Sequence, residues 1–138
     1  MGQWYEIGIT IGLGVAAGIA FAGVLGGLRF GFATTLLGAA VVGVAAGLLV
    51  NGTVGVVGGV VGAVIGAVSA ASIVRGANRR GATLGGTAFL LVGAAIVVGV
   101  LALIPVIGYL EAVLMPVVAA RRARRAPEKY AGLRSLAK

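Results

Sequence analysis

Four long apolar stretches, separated by short polar ones, make up most of the chain. Three of them cover about residues 7–28, 30–50 and 53–74, and the fourth covers about residues 84–120. A transmembrane α-helix needs about 20 consecutive apolar residues, and each of the first three stretches has this length. The pattern therefore predicts an all-α fold, a polytopic transmembrane helical bundle.

Polar positions mark the ends of the predicted spans. Arg29 follows the first stretch, Asn51-Gly52 is a turn dipeptide after the second, and residues 75–83 form a polar loop with three arginines. Trp4 precedes the first stretch, where an interfacial aromatic belt is found. No basic region precedes the first apolar run, so we predict a retained membrane helix rather than a signal peptide.

The fourth stretch is too long for one crossing. A single helix over residues 84–120 would be about 55 Å long at 1.5 Å per residue, whereas the hydrocarbon core is about 30 Å thick. Pro105 lies near its middle, where proline bends or ends a helix. Two arrangements follow. One is a single kinked span, and the other is a hairpin with a fourth span over 84–104 and a second leg over 106–120 that is either a full crossing or a partial, re-entrant one.

The distribution of basic residues favours the hairpin. Short cytoplasmic loops collect lysine and arginine. With a hairpin, all 11 basic residues lie on one side of the membrane. With a single span, Arg29 and the arginines of residues 75–83 lie opposite the C-terminal tail. We therefore predict four spanning helices plus the return leg, a cytoplasmic C-terminus and an external N-terminus.

The amino-acid composition argues against several classes of function. Hydrophobic residues make up 60% of the chain and charged residues 10%, with a mean hydropathy of +1.16. The sequence contains no cysteine, histidine or aspartate, and its acids are three glutamates. Zinc sites use cysteine, histidine or carboxylate clusters, and catalytic triads need a histidine base. We predict that the protein is not an enzyme and has no cofactor, metal site or catalytic residue.

Glycines recur at four-residue spacing in each of the first three predicted helices. Residues four apart share one helix face, and a face of small residues lets a second backbone approach closely. The predicted helix-packing glycines are Gly14, Gly18, Gly26, Gly43, Gly47, Gly58, Gly62 and Gly66. Two uses are open: packing within one compact bundle, and glycine-zipper or GxxxG-type self-association.

Glu111 is the polar residue that stands out within the apolar stretches. It lies ten residues before Arg121, about 15 Å along a helix. Ionisable residues inside membranes often mark proton or ion pathways, so Glu111 is a possible proton or ion site. The alternative is a protonated glutamate that hydrogen-bonds helices together, with serine and threonine hydroxyls or a freed backbone carbonyl as expected partners.

Residues 121–138 form a predicted basic cytoplasmic tail. Its first arginines directly follow the last apolar segment, where basic clusters attract anionic lipid headgroups; they are Arg121, Arg122, Arg124 and Arg125. A topology anchor is the simpler role. After Pro127 the tail has the pattern of a short amphipathic helix with Tyr130 and Leu133 on one face. The absence of interleaved aromatic residues argues against nucleic-acid binding.

The segment IPVIGYLEAVLMPVVAARRARRAPEKYAGLRSLAK, the C-terminal quarter of the chain, resembles the ends of small, uncharacterised Gly/Ala-rich integral membrane proteins of actinobacterial type. The shared features are an Ile-Pro-Val-Ile-Gly bend, an apolar leg, a basic cluster and a Tyr-Ala-Gly-Leu-Arg tail. The resemblance implies a bacterial inner-membrane location, and it carries over no assigned activity.

Two functions remain on sequence grounds. The first is a small structural or accessory membrane protein whose partners are the bilayer, anionic headgroups and either a second copy of itself or a larger membrane complex. The alternative is a small channel or a proton- or ion-coupled transporter that uses Glu111.

Overall fold

The computed structural model describes residues 2–28 and 30–125, without the side chains of residues 105, 123 and 125. Within these residues the secondary structure is entirely helical, which confirms the all-α prediction. The helices are α1 (Gln3–Leu25), α2 (Gly31–Arg79), α3 (Leu84–Leu101) and α4 (Pro105–Arg125). Arg29 and the predicted amphipathic helix in residues 126–138 lie outside the described residues.

Helix α2 is a hairpin of two arms that meet at the Asn51-Gly52 dipeptide. Both residues have non-helical backbone angles, and Gly52 has a φ of 56°. Glycine adopts this left-handed region without steric cost. The first arm (residues 31–50) then runs antiparallel to the second arm (residues 53–79), because Gly47 contacts Gly55. The reversal occurs at the turn dipeptide seen in the sequence.

Helix α1 is the centre of the bundle and contacts each of the other helices. The second arm runs parallel to α1, since Gly62 lies against Ile11 and Gly66 against Val15. Helix α3 runs in the opposite direction, because Gly12 faces Ala102 near the end of α3 whereas Gly27 faces Leu84 at its start.

Helix α4 returns alongside α1, as the hairpin prediction requires. The chain turns at residues 102–104, and Pro105 is the first residue of α4, where proline's fixed φ favours a helix start. Gly108 contacts Gly8, and Met115 packs against a cluster that includes Val15. Helix α4 is therefore parallel to α1.

The boundary predicted at residue 120 does not coincide with a change of structure. Helix α4 continues to Arg125, so the first five residues of the predicted tail are helical. Arginine and alanine are good helix formers, and the sequence over this stretch contains only these two residue types. The first arginines of the predicted basic tail therefore continue the last helix.

The bundle has small residues inside and large apolar residues outside. Its buried hydrophobic residues are mostly alanines, among them Ala22, Ala39 and Ala67, each at most 1% exposed. By contrast, Leu49 is 88% exposed and Phe89 is 80% exposed. Over the described residues, three helices (α1, α2 and α3) are long and apolar enough to cross a membrane.

Candidate functional site

A close backbone contact joins α1 to the second arm. The glycines at positions 58, 62 and 66 face α1, and a Cβ added at Gly62 would meet the carbonyl oxygen of Ile11 and lie 3.0 Å from the backbone nitrogen of Val15. From the other side, a Cβ added at Gly14 would lie 2.8 Å from the backbone nitrogen of Ala63, and Gly18 has equally close backbone neighbours in the second arm. The two backbones touch along this whole length.

A second glycine contact closes the α2 hairpin. Gly43 and Gly47 of the first arm lie directly against the backbone of Gly59 and Gly55 in the second arm. The packing glycines predicted on the second arm, at positions 58, 62 and 66, form one face of this helix, and Gly55 and Gly59 are not among them. The 55/59 pair has the same four-residue spacing, rotated by one position, and this repeat is visible in the sequence.

A third contact holds α4 against α1. A Cβ added at Gly108 would meet the carbonyl of Gly8. Gly108, the last residue of the Ile-Pro-Val-Ile-Gly bend, is not among the predicted helix-packing glycines. The last predicted packing residue, Gly26, lies just beyond the end of α1, where an added Cβ would be 3.4 Å from Cγ1 of Val74. Every glycine predicted to pack thus has a neighbour within the same chain.

Glu111 lies on the buried face of α4 and about halfway along the bundle. It is 7% exposed and shares its helix face with Gly108 and Ala119, which are also buried. Gly108 is level with residues 8–12 of α1. At 1.5 Å per residue, three further residues bring Glu111 level with Leu13, close to the midpoint of α1.

Both carboxylate oxygens of Glu111 are buried, and neither has a hydrogen-bond partner among the described residues. Five serine and threonine hydroxyls of these helices donate to backbone carbonyls instead. Thr10 donates to Ile7 at 2.9 Å, and Thr35 donates across helices to Phe21 at 3.4 Å. Thr34, Ser72 and Thr87 also donate to carbonyl oxygens. The expected hydrogen bonds from these hydroxyls to Glu111 are therefore not formed.

An unpartnered carboxyl in this position is costly. A buried neutral group without its hydrogen bond costs about 1–3 kcal/mol, and a buried, unpaired charge costs far more. The surrounding glycine and alanine contacts supply nothing that offsets this. A group retained at such a cost is a candidate for binding something from outside the chain.

The arginines of two separate segments lie at one end of the bundle. Val74 and Ala22 belong to the same buried cluster, so Arg75 is level with the end of α1. Arg121 lies ten residues beyond Glu111, about 15 Å further along α4, which brings it to the same level. The described arginine side chains at this end are all exposed: Arg75, Arg79, Arg80, Arg121, Arg122 and Arg124. Of Arg125, the structure describes the backbone only.

The carboxylates of the described residues lie away from this basic end. Glu6 is in the first turn of α1, at the opposite end, and Glu111 is at mid-length. Arg75 donates from Nε to the carbonyl of Ala71 at 3.2 Å, along its own helix. Among residues 2–28 and 30–125, no carboxylate therefore lies beside the exposed arginines of this end, which adjoin an apolar outer surface.

An apolar groove of about 510 Å³ opens between α1 and the start of the second arm. Its lining includes Ile7, Ile11, Val57 and Val61 and no residue of α4. Glu111 therefore does not border this groove. No group of three or more histidine, cysteine, aspartate or glutamate side chains that could hold a metal ion occurs in residues 2–28 and 30–125.

Comparison of the chain with models of known protein families, with curated proteins and with solved structures finds no match in any of the three.

Proposed function

We propose that the protein is a small integral membrane protein of structural or accessory type. One observation supports this proposal above the others: the bundle buries glycine and alanine and exposes leucine, valine and phenylalanine. Leu49 and Phe89 are mostly exposed, whereas Ala39 and Ala67 are fully buried. In water, the hydrophobic effect favours the reverse arrangement, in which the large apolar side chains are buried. In lipid, helices associate through close backbone packing of small residues, while large apolar side chains face the acyl chains.

The same proposal assigns an orientation. The arginine-rich end of the bundle lies on the cytoplasmic side of a cell membrane, following the positive-inside rule. The Asn51-Gly52 turn, the α3–α4 turn and the N-terminal turn of α1 lie on the external side. Arginines at the cytoplasmic surface attract anionic headgroups, at about 1 kcal/mol per basic residue. The bacterial inner membrane is the location that the sequence resemblance favours.

The accessory role follows from how the helix surfaces are used. The glycine faces of α1, both arms of α2 and α4 are filled within the chain. Self-association or binding to a larger membrane complex would then use the outer apolar surface, while the glycine stripes give the chain its shape. In this proposal the protein contributes a compact apolar unit rather than a reaction.

Extraction in mild detergent at the native expression level tests this proposal. We expect the chain to migrate in a discrete complex, either with further copies of itself or with a second polypeptide at fixed stoichiometry. The native mass and the composition of the complex are the readouts. A monodisperse monomer with no associated chain would contradict the accessory role.

A second candidate function, a small channel or a proton- or ion-coupled transporter, is favoured by the buried, unpartnered carboxyl of Glu111. Its position near mid-length is where intramembrane proton and ion sites are found. The same purified preparation, reconstituted into vesicles, decides between the candidates. Transport predicts a cation or proton flux that Glu111→Gln abolishes while thermal stability is unchanged, whereas the accessory role predicts no flux from either chain.

A further inference from the structure

We propose that Glu111 is a proton-binding site, and that its ligand is a proton rather than a metal cation. The proposal shares its residue with the second candidate function and specifies the ligand of that site. It does not require transport, because a carboxyl can bind a proton without passing it across the membrane. Failure of the flux assay and failure of the proposal are therefore distinguishable.

The geometry of α4 holds the Glu111 side chain inside the bundle. Gly108 on the same face is pressed against the backbone of Gly8, and Ala119, two turns beyond Glu111, is 8% exposed. Met115, which lies between Glu111 and Ala119, packs against the buried hydrophobic cluster that includes Val15. A rotation of α4 that exposed Glu111 would break all three contacts. The carboxyl is therefore fixed where water has little access.

The elements packed against α4 bring no charge to Glu111. On α1, Glu6 is about seven residues from the level of Glu111, and the hydroxyl of Thr10 donates to the carbonyl of Ile7. On the second arm, the basic residues begin at Arg75, near the end of the bundle. Helix α3 contains no charged residue. Within the described residues, a carboxylate at this position has no counter-charge.

This lack of oxygen ligands separates a proton from a metal cation. Hard cations are held by several oxygens at once, typically six or more, from carboxylates, carbonyls and water. Glu111 offers one carboxyl group, and in the described residues no other group is hydrogen-bonded to it. A proton needs only one oxygen, and its binding removes the charge that the apolar surroundings disfavour.

Infrared spectroscopy of the full-length protein in lipid vesicles tests the proposal. A neutral carboxylic acid has a carbonyl band that is separate from the backbone amide bands and shifts in D₂O. We expect the wild-type protein at neutral pH to show this band, Glu111→Gln to lose it, and Glu6→Gln to retain it. Adding sodium or potassium salts is expected to leave the band unchanged.

Two results would overturn the proposal. Absence of the band at neutral pH would show that Glu111 is a charged carboxylate, and loss of the band on adding sodium or potassium would show that a metal cation takes the site. If Glu111→Gln does not fold, glutamate carrying ¹³C at its side-chain carboxyl is expected to shift the band, and the chain with both Glu6→Gln and Glu128→Gln leaves Glu111 as the one labelled glutamate. If the carboxylic acid band is present and the vesicle assay shows no flux, the result supports the proton site and contradicts transport.

Discussion

Replacing Val97 with arginine is expected to remove most of the protein from the membrane fraction, although Val97 is already 58% exposed. On the surface of a water-soluble protein such a change alters stability by about 0.5 kcal/mol or less. In the proposed orientation Val97 faces acyl chains near the bilayer centre, because its neighbour Gly99 lies beside Ala16 at the middle of α1. An arginine there costs about 2.5–3.5 kcal/mol on insertion scales, and more in simulations.

Val97→Leu is the matched control, because it enlarges the same exposed side chain without adding charge. We expect its level in the membrane fraction to equal that of the wild-type protein. The readout is the amount of each variant recovered with membranes at equal synthesis. Equal recovery of Val97→Arg and Val97→Leu would mean that this face of α3 does not contact lipid, and the proposed membrane bundle would be wrong.

Replacing Gly62 with leucine is expected to separate the second arm from α1 and to unfold the bundle at a much lower temperature. An added side chain at Gly62 meets the carbonyl oxygen of Ile11 and the backbone of Val15. Overpacking commonly costs about 1–3 kcal/mol, and more where the obstacle cannot move. Here the obstacle is backbone of the central helix. Thermal unfolding in detergent measures the effect.

Gly93→Leu provides the comparison for Gly62→Leu, since both change a glycine inside a helix. A Cβ added at Gly93 has nothing within 4 Å. We expect Gly93→Leu to keep or slightly raise the unfolding temperature, because glycine is the poorer helix former by about 1 kcal/mol. Similar unfolding temperatures for the two variants would show that the contact between α1 and the second arm contributes little to stability.

The helical class and the main reversals of the chain could be predicted because they depend on local signals. Apolar run length indicates helices, and a glycine that accepts positive φ allows the turn after Asn51. That residues 84–120 are too long for one crossing follows from helix length against bilayer thickness, and Pro105 begins the second helix. The choice of a hairpin over a kinked span also used the basic residues of the whole chain.

Which helix packs against each glycine face could not be predicted, because this packing depends on contacts between segments that are distant in sequence. A four-residue glycine repeat shows that a face is smooth, and it does not show which helix fills it. Gly59 illustrates the limit, since it lies between the first arm and α1 and contacts both Gly43 and the helix around Gly14. The end of α4 at Arg125 could not be predicted for another reason: the change from apolar to basic residues at position 120 predicts a change of surroundings, and the helix continues through it.

The surroundings of Glu111 were predicted only in part. Its distance from Arg121 along the chain indicated depth, and the structure has it on a buried face near mid-length. The expected hydroxyl partners fail because serine and threonine in helices satisfy themselves on carbonyls of their own turn, as Thr10 and Ser72 do here. A lone carboxyl without a partner can be recognised only after every neighbouring helix is in place.

Single-cysteine labelling tests the central claim, a membrane-spanning bundle with its basic end inside, most directly. The chain contains no cysteine, so Thr53→Cys at the α2 turn and Asn78→Cys at the basic end each introduce one thiol at an exposed position. In intact cells, a membrane-impermeant maleimide is predicted to label Thr53→Cys and to label Asn78→Cys only after the membrane is opened. Equal labelling of the two positions in intact cells, or labelling of neither until the membrane is opened, would contradict the claim.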